Sequence, residues 1–164
     1  MSDIDNVSSR IRMPFRDHFY GNGKTVTIDI DRGLFANIAG GSIDGLTIEA
    51  NPTNFSAFFN SDNMGGTISN CTINISYFGA ITGFNHGGII INCVNNGHLT
   101  GADRIGGIAC NNEGHIISCL NTGKITATNS TGTGIFSGVG GVCGTAISMR
   151  EITNCINIGN VEGQ

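Results

Sequence analysis

Gly114-His115-Ile116-Ile117-Ser118-Cys119-Leu120-Asn121-Thr122-Gly123-Lys124-Ile125-Thr126 decides the fold, because the chain returns to it. It reads Gly-x-Ile-x-x-Cys-x-Asn-x-Gly-x-Ile-Thr. An earlier copy is Gly88-Ile89-Ile90-Ile91-Asn92-Cys93-Val94-Asn95-Asn96-Gly97-His98-Leu99-Thr100, and a later one is Ile152-Thr153-Asn154-Cys155-Ile156-Asn157-Ile158-Gly159-Asn160-Val161.

Working outward, the same slot falls on Cys71 in Gly66-Thr67-Ile68-Ser69-Asn70-Cys71, on Leu46 in Gly41-Ser42-Ile43-Asp44-Gly45-Leu46, and on Val26 one turn earlier. Val26, Leu46, Cys71, Cys93, Cys119 and Cys155 are thus separated by 20, 25, 22, 26 and 36 residues. Three residues before the slot stand Ile43, Ile68, Ile90, Ile116 and Ile152. A second short segment recurs between slots as Gly33-Leu34-Phe35, Gly79-Ala80-Ile81, Gly106-Gly107-Ile108 and Gly140-Gly141-Val142. A period of this length marks a solenoid. Strand-sized segments without helical spacing make it an all-β, single-domain parallel β-helix of about six turns. At about 4.8 Å per turn the rod is roughly 29 Å long.

Residues 1–14 read as an N-terminal cap or tail, with Ile4, Val7, Ile11 and Met13 available to cover the end of the stack. Residues 15–164 form the repeat domain. The long last step is explained by an inserted loop near 127–138, of loop composition.

The 164 residues include 26 Gly, 2 Pro and no Trp, with a net charge of −4. Glycine without a G-X-Y period excludes collagen. The acidic balance gives no field for nucleic-acid phosphates. No apolar run reaches the roughly 20 residues of a membrane span. The first residues lack a basic stretch followed by an apolar one, so the chain as written is expected in the cytoplasm, or at the cell surface if it belongs to a longer exported protein.

Phe19-Tyr20-Gly21-Asn22-Gly23-Lys24-Thr25-Val26, Gly33-Leu34-Phe35, Gly106-Gly107-Ile108 and Asn92-Cys93-Val94-Asn95-Asn96-Gly97 resemble the GLUG-type and related repeats of bacterial surface and adhesin-like proteins. The resemblance covers about residues 15–163. It implies a β-solenoid and brings no catalytic residues with it.

Four of the six cysteines share the slot. They can be read as a redox or metal column, but Val26 and Leu46 in the same position favour small core side chains, and no metal or cofactor is expected. Cys110 and Cys143 fall outside the column. Asn95, Asn121 and Asn157 lie two residues past the slot, where stacked amides hydrogen-bond from turn to turn; a sugar-binding row is the functional alternative. Gly97, Gly123 and Gly159 are expected to supply left-handed corners.

The acids are uneven: residues 1–64 hold eight and residues 65–164 hold four. Asp29 and Glu49 both lie three residues past the slot and are expected side by side on adjacent turns. Lys24 and Asp44 share the position two before it and are expected to pair. With Asp31 these acids form a candidate binding patch, and Thr128, Asn129, Thr131 and Thr133 of the inserted loop form a second. His18, His86, His98 and His115 show no common register.

These features point to a non-enzymatic protein that presents a rigid surface to a protein partner, for example a phage- or mobile-element-encoded inhibitor of a bacterial defence complex. A homodimer through a terminal turn fits the same reading. A repeat fragment of an adhesin and a carbohydrate-active β-helix enzyme are the alternatives. The enzyme requires clustered carboxylates or calcium.

Overall fold

A computed structural model describes residues 4–7, 9, 11–29, 33–50, 60–75, 81–102, 104–128, 138–148 and 150–163. The described residues contain strands and no helix, and the strand ladders run parallel.

The motif builds the long sheet. Its six rungs are His18–Ile28; Ser42–Ala50; Thr67–Ser69 with Thr72–Asn74; Ile89–Ile91 with Val94–Asn95; His115–Ile117 with Leu120–Asn121; and Ile152–Thr153 with Ile156–Asn157. A second sheet stacks Phe35–Ala39, Asn60–Met64, Thr82–His86, Ala109–Asn112 and Cys143–Ala146. A third stacks Leu99–Gly101, Ile125–Ala127 and Val161–Gly163, which are the Ile-Thr ends of the motif. A two-stranded ladder joins Ile105–Gly106 to Val139–Gly140.

About six turns are expected from the repeat; the long sheet has six rungs, but the stacked coils number about four. Among the described residues the second sheet holds five strands, the last of them Cys143–Ala146.

The expected cap is itself a strand. Ile4–Val7 pairs parallel with His18–Ile28, and Ile11 and Phe15 bridge to Phe35 and Ile38. Phe15 and Phe19 pack on Phe35 with ring centroids 5.3 and 6.0 Å apart, closing the first turn with aromatic surface.

Inside the rod, each pleat position becomes a column. Ile43, Ile68, Ile90 and Ile116 form one buried column, and Leu46, Cys71, Cys93 and Cys119 form the next. Burying each isoleucine contributes roughly 1.5–3 kcal/mol. Val26 does not belong to the slot column. It pairs with Ile48, because a bulge at Gly21-Asn22-Gly23 shifts the register between Tyr20 and Lys24. Gly21, inside the bulge, lies against Gly45 and Leu46, and a methyl group there would sit 2.5 Å from the Gly45 carbonyl oxygen and 2.8 Å from the Leu46 Cα.

The Ile48 column changes chemistry partway: Ile48 and Ile73 are followed by Asn95, Asn121 and Asn157. Asn95 Nδ2 donates to Asn121 Oδ1, and Asn121 Nδ2 to Asn157 Oδ1, both at 2.7 Å. The second sheet repeats the device, with Ile38 followed by Asn63, Asn85 and Asn112. Asn63 donates to Asn85 at 2.9 Å and Asn85 to Asn112 at 2.7 Å. Asn63 heads this ladder above Ile38, which has no donor to give, and Asn63 Oδ1 is left without a partner.

Left-handed corners do not fall on Gly97, Gly123 and Gly159. One row of them falls one residue before the slot, at Gly45, Asn70, Asn92, Ser118 and Asn154, with φ of 52–64°, and another at Gly40, Gly65 and Gly87, with φ of 67–78°. Asn tolerates this region better than most residues. The motif glycines answer a different need. A Cβ on Gly123 would lie 1.9 Å from the Gly97 carbonyl oxygen, and one on Gly159 2.0 Å from that of Gly123.

Candidate binding surface

Asp44 and Glu49 project from the same strand, Ser42–Ala50, on the outer face of the long sheet. Each receives hydrogen bonds from the next rung. Ser69 Oγ and Asn70 Nδ2 both donate to Asp44 Oδ1 at 2.7 Å, and Asn92 Nδ2 donates to Asn70 Oδ1 at 3.4 Å. These donors, Ser69 first, hold the Asp44 carboxyl below the usual carboxylate range. Asn74 Nδ2 donates to Glu49 Oε1 at 3.3 Å, Asn96 Nδ2 to Asn74 Oδ1 at 2.9 Å and Thr122 Oγ1 to Asn96 Oδ1 at 2.8 Å. An ionised carboxylate only accepts, so each acid sets the direction in which its outer ladder donates.

The expected pairings of these acids are corrected by the same bulge. Glu49 stands beside Thr27, not Asp29, and Asp44 beside Tyr20, not Lys24. Lys24 pairs in register with Leu46. Asp29 is exposed, and its backbone N–H donates to Val7 O at 3.0 Å. Tyr20, 65% exposed and stacked on His18 at 6.3 Å, therefore adjoins Asp44 on the open face. Thr128 is exposed and anchored through its backbone to Gly101 O at 2.8 Å. Asp31, Asn129, Thr131 and Thr133 lie outside the described residues.

The Asn95 ladder is buried up to Asn121, which makes it structural; only Asn157, on the last rung, is exposed.

The second sheet carries a cluster that slot counting missed. His86 Nδ1 donates to Asp62 Oδ1 at 2.9 Å, His86 Nε2 lies 3.9 Å from Glu113 Oε2, and the ring stacks on Phe84 at 4.0 Å. The three polar residues come from successive rungs. Counting from the long-sheet slot hides this, because the intervening corners differ in length. A usable signal is that His86 and Glu113 each directly follow a ladder asparagine, Asn85 and Asn112. The other histidines also reach neighbouring rungs: His18 Nδ1 to Ser42 Oγ at 2.6 Å, His98 Nδ1 accepting from Lys124 N at 2.9 Å, and His115 Nδ1 to Glu151 Oε2 at 4.0 Å.

All six cysteines are free. Cys71, Cys93 and Cys119 are buried in the column and Cys155 is half-buried at its end. Cys110 and Cys143 lie outside it, and burial pushes both thiols up to about 11.

The last rung exposes apolar surface. Ile156 and Ile158 are 57% and 69% exposed and Ile152 is 38% exposed, whereas Ile116, one rung below Ile152, is fully buried. No described strand pairs with the outer edge of this rung.

Among the described residues, no group of three or more His, Cys, Asp or Glu side chains is placed to hold a metal ion, and no helix is long and apolar enough to cross a membrane. No protein-family model, curated protein or solved structure matches this chain.

Proposed function

We propose that this chain is a non-enzymatic binding protein that presents a rigid solenoid face to a protein partner. The observation that carries the reading is Tyr20 beside Asp44 on the open face of the long sheet. An exposed aromatic ring next to a carboxylate already held by two hydrogen bonds is a pre-ordered contact. With Glu49 on the same strand, the face suits a partner that offers Lys or Arg and an apolar patch. Inner and outer ladders tie successive rungs, so little ordering is left for the moment of binding. Self-association belongs to the same reading, through the exposed apolar last rung.

The test is affinity capture with the immobilised chain, followed by purification of whatever is retained and calorimetry with the pure proteins. A stoichiometric complex weakened at least tenfold by Tyr20→Ala with Asp44→Asn supports the proposal. A complex indifferent to that double variant removes the assigned face. Hydrolysis across a panel of polysaccharides would overturn the non-enzymatic reading.

A further inference from the structure

Register stacks Cys71, Cys93, Cys119 and Cys155 on successive rungs: each directly precedes one of Thr72, Val94, Leu120 and Ile156, which pair in sequence. Each Sγ leans on the carbonyl two residues earlier, at 3.1, 3.3, 3.3 and 3.2 Å. Because all four lean the same way, their sulfurs repeat the rung spacing of about 4.8 Å.

That spacing separates two chemistries. A disulfide needs Cβ atoms about 3.5–4.5 Å apart, and in-register parallel neighbours hold them a full rung apart. Two metal–sulfur bonds of about 2.3 Å, end to end, span about 4.6 Å. Adjacent thiols in this column are too far apart for an S–S bond and correctly placed for one metal atom between two sulfurs.

We propose that Cys119 and Cys155 form a two-coordinate clamp for a soft monovalent cation of the Cu(I) class. Cys155, half-buried on the last described rung, is the point of entry, and Cys119 is the buried partner. The Cys119 backbone N–H donates to Cys155 Sγ at 3.5 Å, so the last rung's sulfur already faces the Cys119 rung. Thiolate ligands select soft ions, and the oxygens nearest the two sulfurs are neutral backbone carbonyls of Ile116, Ile117 and Thr153, with no carboxylate to favour a hard ion. The step is an exchange without redox: two S–H bonds break, two protons leave, two S–metal bonds form, and the site ends with one net negative charge. A linear pair needs only two ligands, so the lack of a three-ligand cluster among the described residues does not bear on it.

The experiment is an anaerobic titration with Cu(I) against a chromophoric Cu(I) chelator, with X-ray absorption on the loaded protein. One ion per chain with two sulfur neighbours is expected. Cys155→Ser should weaken retention at least tenfold, and the Cys110→Ser, Cys143→Ser double variant should leave it unchanged. Circular dichroism monitors the fold. Should Cys119→Ser fail to fold, the half-buried Cys155 variant still decides. Unchanged uptake in Cys155→Ser, or competition no better than glutathione at equal thiol concentration, overturns the proposal.

Discussion

Asn95 donates its side-chain N–H to Asn121 Oδ1 at 2.7 Å, and neither residue has exposed surface. Asn121 passes the bond on to Asn157 at 2.7 Å and also donates to Gly123 O at 2.9 Å. Asn121→Ala therefore strands buried polar groups on two rungs. We expect a loss of about 2–5 kcal/mol in urea unfolding, against about 1 kcal/mol or less for Asn157→Ala, whose side chain meets water. Equal losses for the two would show that the ladder does not act through burial.

The glycines and asparagines of the motif are predicted to respond in opposite ways. Gly123→Ala places a methyl group 1.9 Å from the Gly97 oxygen, a backbone atom that cannot swing aside, and should cost about 3 kcal/mol or more. Asn92 sits at φ 53° on an exposed corner. Asn92→Gly should stay within about 0.5 kcal/mol, while Asn92→Ala should cost about 1 kcal/mol for the left-handed conformation. Thermal melts of the three variants test the ordering. A mild Gly123→Ala would mean that the rungs can spread apart.

Much of the architecture was legible because burial on a stacked rod forces equivalent side chains to repeat. The Ile43, Leu46–Cys155 and Asn95 columns follow from that alone. Part of what was not legible traces to one bulge. Gly21-Asn22-Gly23 faces a single residue, Gly45, and this displaced the positions read for Val26, Lys24 and Asp29 together. A bulge leaves no mark in hydrophobic periodicity. The Asn63 ladder and the Asp62–His86–Glu113 cluster escaped for a related reason. They repeat in the second sheet, whose segments share the Asn63, Asn85 and Asn112 column and little else, a repeat too sparse to register when positions are counted from the long-sheet slot. The glycine spacing was visible, but sequence alone does not separate a close approach from a left-handed angle.

Cys110 and Cys143 predict an alkaline weakness. Burial raises both thiols to about 11 from an ordinary value of 9.0. A raised acid favours the protonated folded state, so its contribution is complete below pH 9 and is lost as pH climbs through about 11. Unfolding free energy should fall between pH 9 and 11 more steeply in the parent than in a Cys110→Ala, Cys143→Ala double variant. Below pH 8.5 both thiols should alkylate far more slowly than the same cysteines in urea. Parallel pH profiles for parent and variant would contradict the burial argument.

The two ends of the described rod differ, and association should follow the difference. At the first turn, Ile4–Val7 covers the edge of His18–Ile28, and Phe15, Phe19 and Phe35 pack together beneath the bridges from Ile11 and Phe15. At the other end, Ile152–Thr153 and Ile156–Asn157 keep a free edge beside the exposed Ile156 and Ile158. An unpaired strand edge flanked by apolar side chains is a template for pairing with another chain. Ile4–Val7 has an unpaired outer edge too, but the most exposed isoleucines, Ile156 and Ile158, lie at the last rung, so the matching surface on a second copy is the same last rung, which gives a closed pair and not a fibre. Sedimentation velocity of this chain should show mass rising with concentration toward a dimer. Ile156→Glu with Ile158→Glu should hold it monomeric with little change in melting temperature, since both side chains already face water. Met13→Glu, at a residue 77% exposed near the covered end, should leave the dimer intact. Longer oligomers, or a dimer sensitive to Met13→Glu and not to the isoleucine pair, would place the contact elsewhere on the rod.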